Sequence, residues 1–211
     1  MPSSLGTVLD VGAGDGFFAS ELAARWPSPL EICCWDSGYG DEALDVPAAA
    51  MRRTAVQPGE RFDLILMLDV AEHVEGDRAF LEGIVDRNLA LGGQLLLAVP
   101  AWPALWTSHD VRLGHVRRYT PAAGRSLCAS AGLRILESGG LFPSLLPYRA
   151  LQKLGEKAWR MPVSGLDRRT GEGPLAKVID RVLGADRRLQ RRLRALSIDL
   201  SGLSWWALCT R

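Results

Sequence analysis

Residues 8–18 read VLDVGAGDGFF, a short apolar run followed by glycines at 12, 14 and 16. An apolar run that breaks into closely spaced glycines is the strand-to-helix turn of an open α/β unit. There the backbone must come close to a ligand, and side chains would block it. This stretch predicts a buried strand at 7–11, the loop, and a helix from 17 to 26 that presents Phe18, Leu22 and Trp26 on one face.

The rest of the chain repeats the alternation. Residues 30–36 (LEICCWD) read as a second strand, and the weakly patterned stretch 41–60 holds a short third strand near 51–56. The run FDLILMLD at 62–69 suits a central strand buried on both faces. A helix follows with Asp77 as its N-cap, burying Phe80, Leu81, Ile84 and Val85. Residues 92–100 form the next strand. After a long loop, Thr120 caps a helix with Pro121 in its first turn and Gly132 at its end. Strands follow at 133–140 and 202–210. The pattern is α/β, a doubly wound sheet with helices on both faces. Roughly 60 residues separate the last two strands, too many for a plain connection. They carry two helical segments, 147–159 and 173–196, joined by a polar linker at 164–173. The expected organisation is a ligand-binding core at 1–140, a helical insertion or cap at 141–201, and the final strand of the core sheet at 202–211.

The net charge of +1 conceals a split: residues 1–140 hold 11 Lys/Arg against 18 Asp/Glu, and residues 141–211 hold 14 against 6. In ADRRLQRRLRAL, Leu189, Leu193 and Leu196 share one helical face and five arginines occupy the others. Docking of that helix on the acidic body is the first expectation; contact with a membrane surface or a lipid substrate is the second. No stretch of 18 apolar residues exists and the start lacks the pattern of a secretory signal. Cys33, Cys34, Cys128 and Cys209 have no metal-ligand spacing, and Cys33 and Cys34 point to opposite faces of one strand. Reduced thiols in a cytoplasmic protein are expected. Nucleic-acid binding is not, because no aromatic-and-glycine RNA motif is present.

The glycine spacing narrows the ligand. A phosphate-binding P-loop needs Lys followed by Ser or Thr after its last glycine, and Phe17-Phe18 stand there instead. A dinucleotide loop is G-x-G-x-x-G, and Phe17 fills the place of its third glycine. Asp10 and Asp15 flank the loop, so its field favours a ligand with a cationic end.

LDVGAGDG resembles motif I of the class I S-adenosylmethionine-dependent methyltransferases, an acidic residue followed by Gly-x-Gly-x-Gly. FDLILMLDVAEHV resembles motif IV of the small-molecule branch of that family, where Asp-Val-x-Glu-His follows the fourth strand. The resemblance covers most of residues 7–140. It implies a seven-stranded Rossmann-like sheet ordered 3-2-1-4-5-7-6 with its last strand antiparallel. It also implies S-adenosylmethionine as cofactor and methyl transfer to a small-molecule acceptor by in-line displacement. Carried over, Asp10 helps hold the amino end of the cofactor. Gly12, Ala13, Gly14 and Gly16 give close backbone approach, and Asp36 with Ser37 receives the ribose hydroxyls. Leu68 and Asp69 complete the cofactor site. Two family features are missing. The stretch RRTAVQPGER offers only Gln57 or backbone where relatives place an acid near the adenine, and helices before the first strand are absent.

Chemistry is expected at the carboxyl edge of the sheet. His73 and His115 are the candidate proton acceptors, since a hydroxyl acceptor needs a base near neutral pH. Glu72 reads equally as a carboxylate favoured at a helix start. The loop PAWPALWTSHDVRLGHVRRYT holds the candidate acceptor pocket, with Trp102, Trp106, His109, Arg118 and Tyr119, an arginine receiving a carboxylate or phosphate. His109, Asp110 and His115 match no metal-ligand pattern, so no metal is expected. Two rivals remain: a cofactor-binding protein or partner subunit without catalysis, and a nicotinamide-dependent oxidoreductase.

Overall fold

A computed structural model describes residues 6–27, 30–39, 51–159, 184–186, 188–190, 192–193 and 200–211. Seven strands form one sheet. They are β1 (Thr7–Val11), β2 (Glu31–Trp35), β3 (Met51–Thr54), β4 (Phe62–Leu68), β5 (Leu89–Pro100), β6 (Arg134–Leu141) and β7 (Ser204–Thr210). Their order across the sheet is β3-β2-β1-β4-β5-β7-β6. The first five run parallel, and β7 lies antiparallel between β5 and β6. This is the order that the resemblance implies.

The central strands are apolar throughout because both of their faces are covered. Along β4, Ile65 and Met67 join one core cluster while Leu64 and Leu66 join the other. Leu9 and Val11 divide from Val8 in the same way, and Cys33 divides from Cys34, as period-two geometry requires. All four cysteines are free and buried.

Among the described residues, five α-helices have full bounds: α1 (Phe17–Arg25), α2 (Asp77–Asn88), α3 (Ser108–Arg112), α4 (Pro121–Ser130) and α5 (Leu145–Trp159). In α2, Leu81, Ile84 and Val85 are buried and Phe80 packs beside them. Two local readings change. The inward face of α1 is Ala19, Leu22 and Trp26, while Phe18 is 44% exposed, because Leu22 and Ala19 lie four and seven residues before Trp26, about one and two turns along the same face. Asp77 is the first residue of α2 and Gly76 its N-cap, and one Asp77 oxygen is taken by the Tyr119 hydroxyl at 2.8 Å. The α4 cap is as expected: Ala123 N donates to Thr120 Oγ1 at 3.1 Å.

The insertion begins with α5, two residues earlier than the pattern suggests. Of the segment 173–196, only 184–186, 188–190 and 192–193 are described, and all are helical; the linker 164–173 lies outside the described residues. No helix among the described residues is long and apolar enough to cross a membrane.

Helix α4 approaches β7 so closely that Gly124 has no room for a side chain. A Cβ there would lie 2.3 Å from the Trp205 ring. Gly124→Ala is therefore expected to lower the unfolding free energy by about 1–3 kcal/mol. Urea denaturation would measure it, and an unchanged midpoint would show that Trp205 moves aside freely.

Candidate active site

The carboxyl ends of β1, β2, β4 and β5 meet along one edge, and two adjoining features occupy it. The first is the glycine loop. Gly12, Gly14 and Gly16 all have positive φ, at 66°, 53° and 79°. Gly12 also allows close approach of the β4 loop, because a Cβ there would lie 2.6 Å from Val70 Cγ2. Gly12 N donates to Trp35 O at 2.7 Å, which fixes the loop across the tip of β2. Asp36 lies beyond β2 and accepts from Gly14 N at 2.9 Å through one oxygen and from Gly38 N at 2.8 Å through the other. Two further side chains hold the loop that the sequence reading did not single out. The Tyr39 hydroxyl donates to Gly14 O at 2.7 Å, and Arg53 donates to Asp15 O at 2.9 Å while lying over the Tyr39 ring. Gln57 does not face this region: its amide bonds Asn88 at 2.8 Å and its oxygen accepts from Arg87 at 3.2 Å.

Asp10 closes the base of the loop. It is 2% exposed, and its Oδ2 has no hydrogen-bond partner among the described residues. Burial pushes its carboxyl up to about 7; a hydrogen bond from the Ala19 backbone opposes the rise and the Asp36 charge adds to it. An unfolded aspartate ionises near 3.8. Below that pH both states keep the proton. From there to about 7 the unfolded chain is ionised while the folded one stays protonated, so stability falls as pH rises. Asp10→Asn lacks this titration. Its stability relative to the wild type is expected to improve by roughly 1.4 kcal/mol per pH unit across that window and to level off above it. Urea denaturation between pH 4 and pH 8 would measure the slope; a gap independent of pH would refute the raised ionisation.

The second feature is a cavity of about 450 Å³ lined by residues from the β4 and β5 loops, α3 and α5, among them Asp69, Glu72, His73, His109, His115 and Arg118. The β4 loop opens with Asp69 in a left-handed conformation, φ 55°, and continues as a 3-10 turn, Ala71–His73. The long β5 loop is stitched to that turn. Val116 N donates to Glu72 O at 2.8 Å, the Tyr119 hydroxyl donates to Ala71 O at 3.1 Å, and Arg117 pairs with Asp77 at 2.9 Å. From the insertion, α5 supplies Leu145, Tyr148, Arg149 and Gln152 to the cavity wall.

Asp110 organises the charges. It is fully buried, and its oxygens accept from Arg118 Nε at 2.7 Å, Arg149 at 3.1 Å and Thr107 N at 2.8 Å, with His115 Nδ1 at 3.1 Å. Burial works to raise its pKa, but the bonds from His115, Thr107 and Arg118 outweigh it and hold the carboxyl far below the usual range. Two buried guanidiniums thus share one carboxylate. Among the described residues, Arg149 Nε is buried with no partner. Glu72 is fully buried, and neither of its carboxylate oxygens has a partner among the described residues. Burial pushes it up to about 8, helped by the Asp69 charge. Burial also lowers the His73 pKa, as does the neighbouring His115, against a hydrogen bond to the Gly114 backbone.

The structure therefore brings His73, His115, His109, Arg118 and Asp69 into one cavity. Three other candidates stand outside its lining. Trp102 Nε1 donates to Gly202 O at 2.9 Å and lines a smaller hollow with Arg125 and Trp205. Trp106 O accepts from Lys153 of α5 at 3.1 Å. Tyr119 is 3% exposed and tied beneath the β4 turn. Arg149 is a functional group that sequence reasoning missed; Asp110, considered there only with His109 and His115 as metal ligands, is the anion that holds it.

Comparison with known proteins gives the family and a shared fold. The family described as a methyltransferase domain matches residues 2–138. No curated protein matches the sequence. Among solved structures, the protein complexed with the Haloferax volcanii Trm112 methyltransferase activator superposes with a TM-score of 0.59 at 16% identity, covering 100% of this chain and 84% of that one. A SAM-dependent methyltransferase from Archaeoglobus fulgidus gives 0.56 at 13% identity, covering 99% and 87%. Apo mycolic acid cyclopropane synthase CmaA1 gives 0.54 at 14% identity, covering 100% and 84%.

Proposed function

Since the chain belongs to the methyltransferase-domain family, we propose that it methylates a small molecule held in the cavity beside Asp69, with S-adenosylmethionine as donor. The observation that carries this reading is the niche at the glycine loop. It has open backbone at Gly14 and a buried Asp10 oxygen without a partner, and it lies on the same sheet edge as the cavity. The niche fits the cofactor. An unpartnered buried carboxylate suits a cationic amino group, and the half-buried Asp36 carboxylate has lone pairs left for a diol after accepting two backbone bonds. When bound, S-adenosylmethionine supplies a methyl group made electrophilic by its sulfonium.

The rest falls to the chain's own residues. Asp10, Gly12, Ala13, Gly14 and Gly16 cradle the amino-acid end, Asp36 and Ser37 take the ribose, and Leu68 and Asp69 border the junction with the cavity. In the cavity, Asp110 accepts the Nδ1 proton of His115, which leaves Nε2 as the ring atom able to take a proton from an acceptor hydroxyl. The lowered His73 pKa keeps a second imidazole neutral at pH 7 for the same task. Arg149, with its unpartnered Nε, and Arg118 face an anionic part of the acceptor; a carboxylate or phosphate there completes a site that now holds two cations on one aspartate. His109 borders the same space.

Calorimetric titration with S-adenosylhomocysteine tests the reading, with NAD run in parallel. Micromolar binding of the first and none of the second is expected. Binding of NAD alone would point to hydride chemistry, and no binding of either would remove the cofactor assignment.

A further inference from the structure

We propose that Glu72, His73 and His115 bind a divalent metal ion of the zinc type on the inner wall of the acceptor cavity. One donor atom from each of the three lies within 4.8 Å of the other two. Glu72 is 0% exposed, yet neither carboxylate oxygen has a hydrogen-bond partner among the described residues. A buried carboxyl left this way is costly unless something cationic meets it. The nearest ring atom is His115 Nε2, 3.9 Å from Glu72 Oε1.

The histidines are set as ligands need to be. His115 presents Nδ1 to Asp110 at 3.1 Å, and this carboxylate–imidazole contact leaves the Nε2 lone pair free and raises its basicity. The His73 ring stands edge-on to the His115 ring, centroids 4.8 Å apart. The His115 ring is therefore oriented by a second partner, the usual support of a metal-bound imidazole. Bonds of about 2.0–2.2 Å in a tetrahedral site put ligand atoms roughly 3.3 Å apart. The donors must then draw together by up to about 1.5 Å, the exposed His73 ring by rotation and the 3.9 Å Glu72–His115 pair by a smaller side-chain shift. Asp69 and Asp110 flank the set and favour a cation, and Arg118 is the opposing charge.

Two imidazoles and one carboxylate suit zinc and its transition-metal neighbours, whereas magnesium prefers an all-oxygen shell. Three protein ligands leave one position open, and here it faces the cavity. With the ion bound, both imidazole lone pairs are engaged, so an acceptor oxygen or nitrogen in that position would be oriented and made more acidic by the ion, in place of the histidines as proton acceptors. The use of the site rests on the reading above; the existence of the site does not.

The experiment is calorimetric titration of zinc chloride into tag-free, chelator-treated protein, with magnesium chloride as contrast and melting temperature followed alongside. One zinc per chain is expected, with a raised melting temperature and no magnesium binding. Affinity should fall 10-fold or more in His115→Ala, in Glu72→Gln and in the exposed-site variant His73→Ala. The last keeps the test valid if a buried variant fails to fold. No saturable zinc binding would overturn the proposal, as would binding of equal strength in His73→Ala. S-adenosylhomocysteine titrated into the same metal-free protein separates the two readings. Its binding without zinc binding removes only the metal site; zinc binding without it removes only the methyltransferase reading.

Discussion

Asp110→Ala is expected to lower the unfolding free energy by about 3–5 kcal/mol, the range for removing one partner from a buried ion pair. The carboxylate is the shared partner of Arg118 and Arg149, whose side chains are only 4% and 6% exposed. Without it, two guanidiniums stay in a poorly hydrated space with no compensating charge. The change also removes the capping box in which Thr107 and Asp110 satisfy each other's backbone groups at the start of α3. Urea denaturation would show the midpoint shift. Arg149→Met in the Asp110→Ala background should recover part of the loss, because it removes one stranded cation, and a double-mutant cycle would report the coupling. A loss under about 1 kcal/mol in the single variant would mean that water reaches both guanidiniums.

Asp36→Ala is expected to weaken S-adenosylhomocysteine binding about 100-fold, with unfolding free energy changed by less than about 1 kcal/mol. The separation of the two effects follows from position. Asp36 lies half-buried at the tip beyond β2, next to the exposed Ser37 and Gly38 and outside both core clusters, so little apolar packing depends on it. Its carboxylate nevertheless receives Gly14 N and Gly38 N, and so sets the spacing between the glycine loop and the turn after β2. The substitution removes both the diol acceptor and that spacing. Asp36→Asn keeps the shape and one acceptor oxygen, and should lie between alanine and wild type. Unchanged affinity in the alanine variant would place the ribose elsewhere.

The sequence disclosed the elements whose signals are local. Apolar runs such as FDLILML mark strands buried on both faces, and the 12/14/16 glycines mark the loop. Asp36 and the pair Glu72-His73 follow strands directly, so chain order alone brings them to the carboxyl edge. What it concealed depends on contacts between distant segments. Arg149 belongs to a helix whose pattern reads as an appendage, and it meets Asp110 only when α5 folds over the β5 loop. Tyr39 and Arg53 hold the glycine loop through backbone carbonyls, which leave no trace in side-chain periodicity. Tyr119 belongs to an aromatic-rich loop that suggests a binding surface, yet its ring fills the space beneath the β4 turn. Glu72 reads as a helix-start carboxylate until its burial is known.

The position of β7 has a consequence for how this chain is made. β6 reaches the sheet only through β7, and β7 is the last strand to leave the ribosome. During synthesis, the β3-β2-β1-β4-β5 half can assemble while one flank of β5 stays bare and β6 has nothing to pair with. Closure waits on contacts that span more than a hundred residues, such as Leu95 with Cys209, a topology of high contact order and slow completion. In that interval the nascent chain presents an open strand edge beside apolar surface, the feature that recruits chaperones or other unfinished chains. Completion of the fold is thereby tied to the arrival of its final strand.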